Sequence, residues 1–239
     1  MNTITSLANP PVPSPRKHPS PPLGLVATIF TVLFIAGLYP VTTFGGQPHF
    51  PGPWEPAQTL VAFFQMRPTA VLICAFLQFG SAVALGIFTA SAVSRLHFLG
   101  VRAAGAHIAL FGGLATALNI MASSCVLWVM AYPGIAQDAG VLRALYYLVF
   151  IFGGPGFSVP LGLLLAGISI PAAFMKLLPR WIVVLGLVLA VIGELSWLDM
   201  VVPQALFLIP LTRFPAFVWL IAAGFSLPRD IAPASAAAI

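Results

Sequence analysis

Two long apolar stretches near the C-terminal end of the chain contain three ionisable side chains. Glu194 and Asp199 lie in the first stretch, and Arg213 lies within the second. A charge in hydrocarbon is unfavourable by at least about 2.5 kcal/mol unless it meets an opposite charge, a carbonyl or water. Antiparallel helices would bring Glu194 and Arg213 within reach of each other. The sequence therefore predicts an ion pair between these two residues.

Two alternatives use the same residues for ligand chemistry. Arg213 could bind an anionic ligand, and Glu194 could relay protons. Pro210 and Pro215 flank Arg213 and loosen its helix where a guanidinium needs extra carbonyl or water partners. Asp199 would either share Arg213 or face solvent.

An earlier apolar stretch carries one face of small and weakly polar residues at helical spacing. Small residues let a neighbouring backbone approach closely, and Asn119 near mid-membrane needs a hydrogen-bond partner that lipid cannot supply. The face should therefore point into the protein, as a packing seam in the favoured interpretation or as a pore lining in the alternative. In a ligand-binding protein, we expect Asn119 and Arg213 to line one internal cavity that is open to one side. The face comprises Gly105, Ala109, Gly112, Thr116, Asn119 and Ser123.

The composition places these residues in a membrane protein. Of 239 residues, 60% are hydrophobic and 6% are charged, which a soluble globule of this size cannot accommodate. Crossing about 30 Å of hydrocarbon at 1.5 Å per residue takes about 20 residues of helix. Six stretches meet this length, so the predicted fold is all-α, a polytopic bundle of six transmembrane helices. They cover residues 23–44, 69–92, 104–130, 141–174, 181–200 and 204–226.

The fourth stretch is long for one span, and the sequence Gly153, Gly154, Pro155, Gly156 interrupts it. A straight helix is not expected there. A proline kink that serves packing is the favoured interpretation, and a substrate site at the broken helix is the alternative. A phosphate-binding loop is excluded, because no strand precedes the glycines and no lysine follows them.

Basic residues predict the orientation of the bundle. They concentrate at the junctions that lie on one side of a six-helix protein. We therefore expect the protein to lie in the inner membrane of the cell with both termini in the cytoplasm. The net charge of +5 reflects this orientation, and nucleic acid is not expected as a partner. The basic residues of that side are Arg16, Lys17, Arg95, Arg102, Lys176, Arg180 and Arg229.

The spans define the domain organisation. Residues 1–21 are rich in proline and are expected to be a disordered cytoplasmic tail, residues 22–227 to be the membrane domain, and residues 228–239 to be a second short tail. In the outer loop between the first two spans, residues 57–66 predict a short amphipathic helix that begins after Pro56. It lies on the membrane surface in the favoured interpretation, and it covers a cavity in the alternative.

Catalysis is the weakest of three functional hypotheses. The sequence has no hydrolytic or redox motif, and His107 is not expected to find a second histidine at its depth, so neither a metal nor a cofactor is predicted. The favoured function is a structural or regulatory membrane protein, or a subunit of a larger membrane complex. The alternative is a protein that binds or transports a small molecule or lipid around the broken fourth helix, Glu194 and Arg213. The lipid bilayer is the expected partner, and a membrane-protein partner or a homo-oligomer stays open.

The layout resembles a group of small bacterial six-helix membrane proteins of unknown function. The resemblance covers residues 23–227 and is carried by LPRWIVVLGLVLAVIGELSWL in the fifth span and FLIPLTRFPAFVWLIAAGFSLP in the sixth. It implies a location in a bacterial inner membrane and implies no activity, so no catalytic residue follows from it.

Overall fold

The structure is a computed structural model and describes residues 16–42 and 50–231. In this part of the chain, nine α-helices, three short 3₁₀ helices and one two-residue β ladder form. The α-helices are α1 (Leu23–Leu38), α2 (Ala57–Met66), α3 (Pro68–Phe98), α4 (Gly105–Met130), α5 (Pro133–Gln137), α6 (Ala139–Gly153), α7 (Pro155–Phe174), α8 (Arg180–Leu195) and α9 (Leu208–Ser226). The 3₁₀ helices are Tyr39–Val41, Ser196–Met200 and Pro203–Phe207, and the strands are β1 (Arg16–Lys17) and β2 (Asp230–Ile231).

Six helical stretches among the described residues are long and apolar enough to cross a membrane. This confirms the six predicted segments and an all-helical, multi-pass architecture. The fourth stretch contains both α6 and α7. The stretches are Leu23–Val41, Pro68–Phe98, Gly105–Met130, Ala139–Phe174, Arg180–Met200 and Pro203–Ser226.

The spans form a closed ring in the order of the chain. α1 packs on α3, α3 on α4, α4 on α7, α7 on α8, α8 on α9, and α9 returns to α1. Because successive spans are antiparallel, the ring has two distinct ends. We call the end with residues 16–22, 99–104, 175–179 and 227–231 the termini end. The end with residues 39–42, 50–67, 131–138 and 196–207 is called the cap end.

The α4–α7 contact is a seam of small residues. A β-carbon at Gly112 would lie 2.5 Å from the Pro160 carbonyl oxygen and 2.6 Å from the Leu164 nitrogen of α7. A β-carbon at Gly167 would lie 2.5 Å from the Ala109 nitrogen of α4. Backbones this close need glycine, as in other membrane helix pairs. The packing interpretation therefore holds for the part of the small-residue face around Gly112, whereas Asn119 and Ser123 of that face line open spaces.

The fourth span breaks where the sequence predicted it would. α6 ends at Gly153, Gly154 adopts φ −93° and ψ −103°, and α7 starts at Pro155. In an uninterrupted helix, the Gly153 carbonyl would accept a hydrogen bond from Phe157 N–H. That N–H donates instead to the Gly154 oxygen, at 3.1 Å. The break therefore leaves the Gly153 carbonyl oxygen without its helical donor, inside the membrane-spanning part of the chain.

Arg95 connects the segments of the termini end by hydrogen bonds, and it is only 3% exposed. Its Nη2 donates to Ser20 Oγ at 2.6 Å, and its Nη1 donates to the Leu227 carbonyl at 3.4 Å. Arg229 Nη2 donates to the Ser20 carbonyl at 2.8 Å. His18, from the same segment as Ser20, contacts Ser94 of α3. Burial and the guanidiniums of Arg95 and Arg229 lower the pKa of His18.

The expected N-terminal tail is therefore partly folded. Residues 1–15 and 232–239 lie outside the described residues, but 16–21 pack against α3, and β1 pairs antiparallel with β2. The sequence placed 16–21 in the tail because this proline-rich segment has too little apolar surface to offset the entropy lost on ordering. Arg95 orders them by binding the carbonyl oxygen of Pro21 and the hydroxyl of Ser20, which need no helix or sheet.

The predicted short helix forms as α2 and begins directly after Pro56, as expected. It packs against α5 and α6 at the cap end, and its Leu60, Phe63 and Phe64 are buried in a cluster with Tyr146. Its position on the outer membrane surface stays a prediction.

Candidate functional site

A central cavity of about 760 Å³ occupies the cap-end half of the ring. α1, α3, α4, α6, α7 and α9 all contribute to its wall, together with residues 50–55 and the 3₁₀ helix Pro203–Phe207. Most of the wall is aliphatic or aromatic. Arg213 and Glu55 are the charged residues among those that line it.

Arg213 lies at the floor of this cavity. Its Nη2 donates a hydrogen bond to the Gly153 carbonyl oxygen, the group that the helix break leaves without a donor. The guanidinium carbon lies 4.6 Å from the centre of the Phe157 ring and 5.6 Å from that of Phe34. The faces of aromatic rings attract cations, so these contacts offset part of the cost of burying the charge. Arg213 Nε is buried and has no hydrogen-bond partner among the described residues.

Four phenylalanines close the cavity beneath Arg213, on the side of the termini end. The ring of Phe217 lies 5.3 Å from Phe30 and 5.1 Å from Phe34, and the rings of Phe34 and Phe157 are 5.6 Å apart. Phe30 and Phe157 are fully buried. The cluster fills the space between Arg213 and the termini end.

Residues 50–55 form the roof of the cavity. Tyr146 donates its hydroxyl to the Pro51 carbonyl, and Arg143 Nη2 donates to the Glu55 carbonyl at 2.7 Å. The Glu55 carboxylate accepts from Gly52 N–H at 2.7 Å, and Trp54 stacks edge-on against Phe150. The alternative interpretation, in which α2 covers a cavity, is not supported, because α2 does not line this cavity and residues 50–55 cover it.

The mouth lies between the roof and the 3₁₀ helix Pro203–Phe207. Trp54 and Phe207 both line the cavity, and they are 55% and 62% exposed. Both rings have largely apolar surfaces, so a molecule that enters between them would follow an apolar path. Such a mouth suits a molecule that arrives from lipid.

The wall hydroxyls are already engaged. Ser123 Oγ donates to the Val149 carbonyl at 3.1 Å, which ties α4 to α6, and Ser124 Oγ donates to the Ile120 carbonyl at 2.8 Å within its own helix. Cys74 lines the cavity as a buried free thiol. A ligand could therefore accept a hydrogen bond from Arg213, but not from these hydroxyls.

The predicted ion pair between Glu194 and Arg213 is not formed, which corrects the sequence interpretation. Glu194 Oε1 has no hydrogen-bond partner among the described residues, and it faces α7 at Gly162, where a β-carbon would lie 3.1 Å from it. Side chains lean toward the N-terminus of their own helix. α8 and α9 are antiparallel, so Glu194 leans toward the termini end and Arg213 toward the cap end. The two groups diverge, although Gly193 and Thr212 beside them are in contact.

Asp199 lies in the 3₁₀ helix Ser196–Met200 and does not line the cavity. It is 9% exposed, so it neither shares Arg213 nor faces solvent as the sequence had predicted. Its two carboxylate oxygens are buried and have no hydrogen-bond partner among the described residues.

Asn119 lies on the far side of the helix break from Arg213. It lines a smaller space of about 400 Å³ between α4, α7 and the 3₁₀ helix Ser196–Met200. Its Nδ2 donates to the Ala115 carbonyl at 2.9 Å, and its Oδ1 lies against Gly156. The expectation that Asn119 and Arg213 line the same cavity is therefore not met.

His107 has a neighbour that the sequence analysis did not expect. α3 continues through His97 to Phe98, so His97 is helical and its ring centre lies 5.4 Å from that of His107. Both imidazoles are exposed. No group of three or more metal-ligating side chains occurs in residues 16–42 and 50–231.

Sequence reasoning found Arg213 but missed most of what surrounds it. Phe34 and Phe157 carry no signal that distinguishes them from the other apolar residues of the spans, and residues 51–55 lie in a loop. The signal for the floor was present in Gly154 and Pro155, because a missing N–H and a broken helix always leave carbonyl oxygens that need donors.

Comparisons with known proteins assign no family to this chain. No protein-family model, no curated protein and no solved structure matches it.

Proposed function

We propose that this integral membrane protein binds a small hydrophobic or amphiphilic molecule in the central cavity, without catalysing a reaction. The observation that supports this most strongly is the cavity itself, with the single cation Arg213 at its closed end. Its volume of about 760 Å³ falls within the range of about 300–1,000 Å³ typical of small-molecule sites.

A purely structural role explains less of the molecule. Helices that serve only to support each other pack to crystal-like density, and spaces larger than a few waters are costly to keep. Here the roof is held over the space by two side-chain hydrogen bonds, from Arg143 and Tyr146, and the floor by an aromatic cluster. The binding alternative is therefore favoured over a structural, regulatory or complex-forming role.

The location is part of the proposal. The termini end carries Arg16, Lys17, Arg95, Arg102, Lys176, Arg180 and Arg229, whereas the cap end carries Arg67 and Arg143 together with Glu55, Asp138 and Asp199. The excess of positive charge supports a cytoplasmic termini end and a cavity that opens toward the outer side. A bacterial inner membrane is the location that we propose.

A pair of matched substitutions tests the cavity. Val149 is buried and lines it, whereas Val191 is 60% exposed on α8 and does not. Tritiated dodecan-1-ol is titrated onto the protein in nanodiscs, with empty nanodiscs as the background. We expect saturable binding that Val149→Trp abolishes and Val191→Trp preserves.

Thermal unfolding of both variants serves as the control for folding. Equal binding of dodecan-1-ol by both folded variants, or the absence of saturable binding by the unsubstituted protein, would contradict the proposal and return the structural role to first place.

A further inference from the structure

We infer that the ligand is a single-chain amphiphile with one negative charge, a long-chain carboxylate, whose head group binds Arg213 and whose tail points to the cap-end mouth. This inference rests on the proposed function and names the class of molecule that the cavity takes.

The first step concerns the charge balance of the cavity floor. A guanidinium carries five N–H donors, and a buried one needs an anion or several acceptors to offset its lost hydration. Arg213 has one carbonyl acceptor from the protein, Gly153, and its Nε points to no acceptor among the described residues. Within residues 16–42 and 50–231, no counter-ion for Arg213 is present at the cavity floor.

The second step excludes the carboxylates of the described chain from that place. Glu194 lies against Gly162 of α7, and Asp199 lies in the 3₁₀ helix Ser196–Met200. Glu55 lines the cavity, but its carboxylate accepts from Gly52 N–H in the roof. Arg213 is therefore the charged group at the floor that a negatively charged head group would bind.

The third step concerns the rest of the ligand. Between floor and mouth, the wall is formed largely by aliphatic and aromatic side chains, which favour a hydrocarbon tail. One cation balances one negative charge, and the planar guanidinium matches a carboxylate. A carboxylate at Arg213 would also leave no polar group of the ligand facing the apolar middle of the cavity. The wall at this level includes Leu38, Ile120, Leu127, Val149, Phe150 and Ile209.

The experiment compares laurate with dodecan-1-ol, which have the same chain length and differ in charge. Both are titrated onto the protein in nanodiscs, and dodecyltrimethylammonium is added as a cationic competitor. We expect the unsubstituted protein to bind laurate more tightly than dodecan-1-ol and to bind the ammonium compound least.

Arg213→Met should weaken laurate binding by about 10- to 100-fold, the range for loss of a charged hydrogen bond, and should leave dodecan-1-ol within about threefold. Arg213→Lys keeps the charge and should give an intermediate laurate affinity. Arg102→Met removes an exposed cation at the termini end and should change neither affinity.

The outcomes separate the inference from the proposed function. If laurate and dodecan-1-ol bind equally and Arg213→Met affects neither, the inference is overturned while the cavity remains a binding site. If neither probe binds saturably and Val149→Trp has no effect, the proposed function fails first. If the Arg213 variants do not fold, the order of the three probes on the unsubstituted protein still decides: a preference for dodecan-1-ol or the ammonium compound overturns the inference.

Discussion

At the scale of single residues, the direction in which a side chain leans decides its chemistry here. Glu194 and Arg213 lie on antiparallel helices, close to the contact between Gly193 and Thr212. Helical side chains lean toward the N-terminus of their own helix, so Glu194 leans toward the termini end and Arg213 leans toward the cap end. Arg213 therefore meets a carbonyl and two aromatic rings in place of a carboxylate.

A double-mutant cycle tests this separation. We expect Arg213→Met and Glu194→Gln to change the free energy of unfolding additively, within about 0.5 kcal/mol, because the two groups share no contact. The measurement is unfolding in detergent micelles of the two single variants and the double variant.

A formed ion pair would give a different result. Removing one partner of a buried pair typically costs about 3–5 kcal/mol, and removing the second then recovers much of that loss. A coupling energy above about 1 kcal/mol between these two positions would thus show that the ion pair predicted from the sequence does form.

The sequence was informative about which residues are unusual, and less so about their partners. Charged and amide groups in apolar stretches stand out by composition, so Glu194, Asp199, Arg213 and Asn119 could all be found. Their partners depend on helix rotation and on the side of the break that each residue faces. Asn119 and Arg213 lie at similar depths, yet they line different spaces, because α7 and the break stand between them.

At the scale of elements, the broken fourth span accounts both for the small-residue seam and for the cavity. α7 approaches α4 closely at Gly112 and Gly167, and the break at Gly154 between α6 and α7 lies in the cavity wall. The prolines and glycines that predicted a broken helix therefore explain both a tight contact and an open space.

Two glycine substitutions separate these contributions. Gly112→Ala places a methyl group 2.5 Å from the Pro160 carbonyl oxygen, against backbone that cannot move aside. We expect this change to lower the free energy of unfolding by about 1–3 kcal/mol. Gly86→Ala on α3 meets nothing within 4 Å, and it should be neutral or stabilise the helix by up to about 1 kcal/mol.

Thermal melts of both variants in the same detergent compare the two positions directly. Equal stability of Gly112→Ala and Gly86→Ala would mean that α4 and α7 separate easily, and that their seam is not fixed by backbone contact.

Helical periodicity predicted the spans and α2 well, because long apolar runs and a proline at the first turn are local signals. The roof could not be found in this way. Residues 50–55 have no periodic pattern, and they become a cover only through distant partners, Arg143 and Tyr146 on α6. Such long-range side-chain contacts leave no trace in local sequence.

At the scale of the whole molecule, the ring gives the protein two chemically different ends. The termini end concentrates the basic residues and buries Arg95 among backbone carbonyls, whereas the cap end carries the roof, the mouth and most of the acidic residues. The order of spans around the ring could not be read from the sequence, since each span is apolar on most of its surface and would suit many neighbours.

Cysteine labelling tests the proposed orientation. In a chain with Cys74→Ala and Cys125→Ala, single cysteines are introduced by Gly134→Cys at the cap end and Ala103→Cys at the termini end, both exposed positions. We expect a membrane-impermeant maleimide added to intact cells to label position 134 and to label position 103 only after lysis. The reverse pattern would invert the bundle and make the cavity open to the cytoplasm.

The contact that closes the ring joins Gly24 of the first span to Gly224 of the last, where a β-carbon at Gly224 would lie 2.7 Å from the Gly24 nitrogen. α1 and α9 therefore adjoin as other consecutive spans do, although no linker connects them. During synthesis, the first span can pack on α3 at once, but it gains its second neighbour only when the last span has been inserted. The assembled ring does not depend on where the chain begins. A circular permutant that begins at the α3–α4 connection, with the old ends joined, should therefore adopt the same fold.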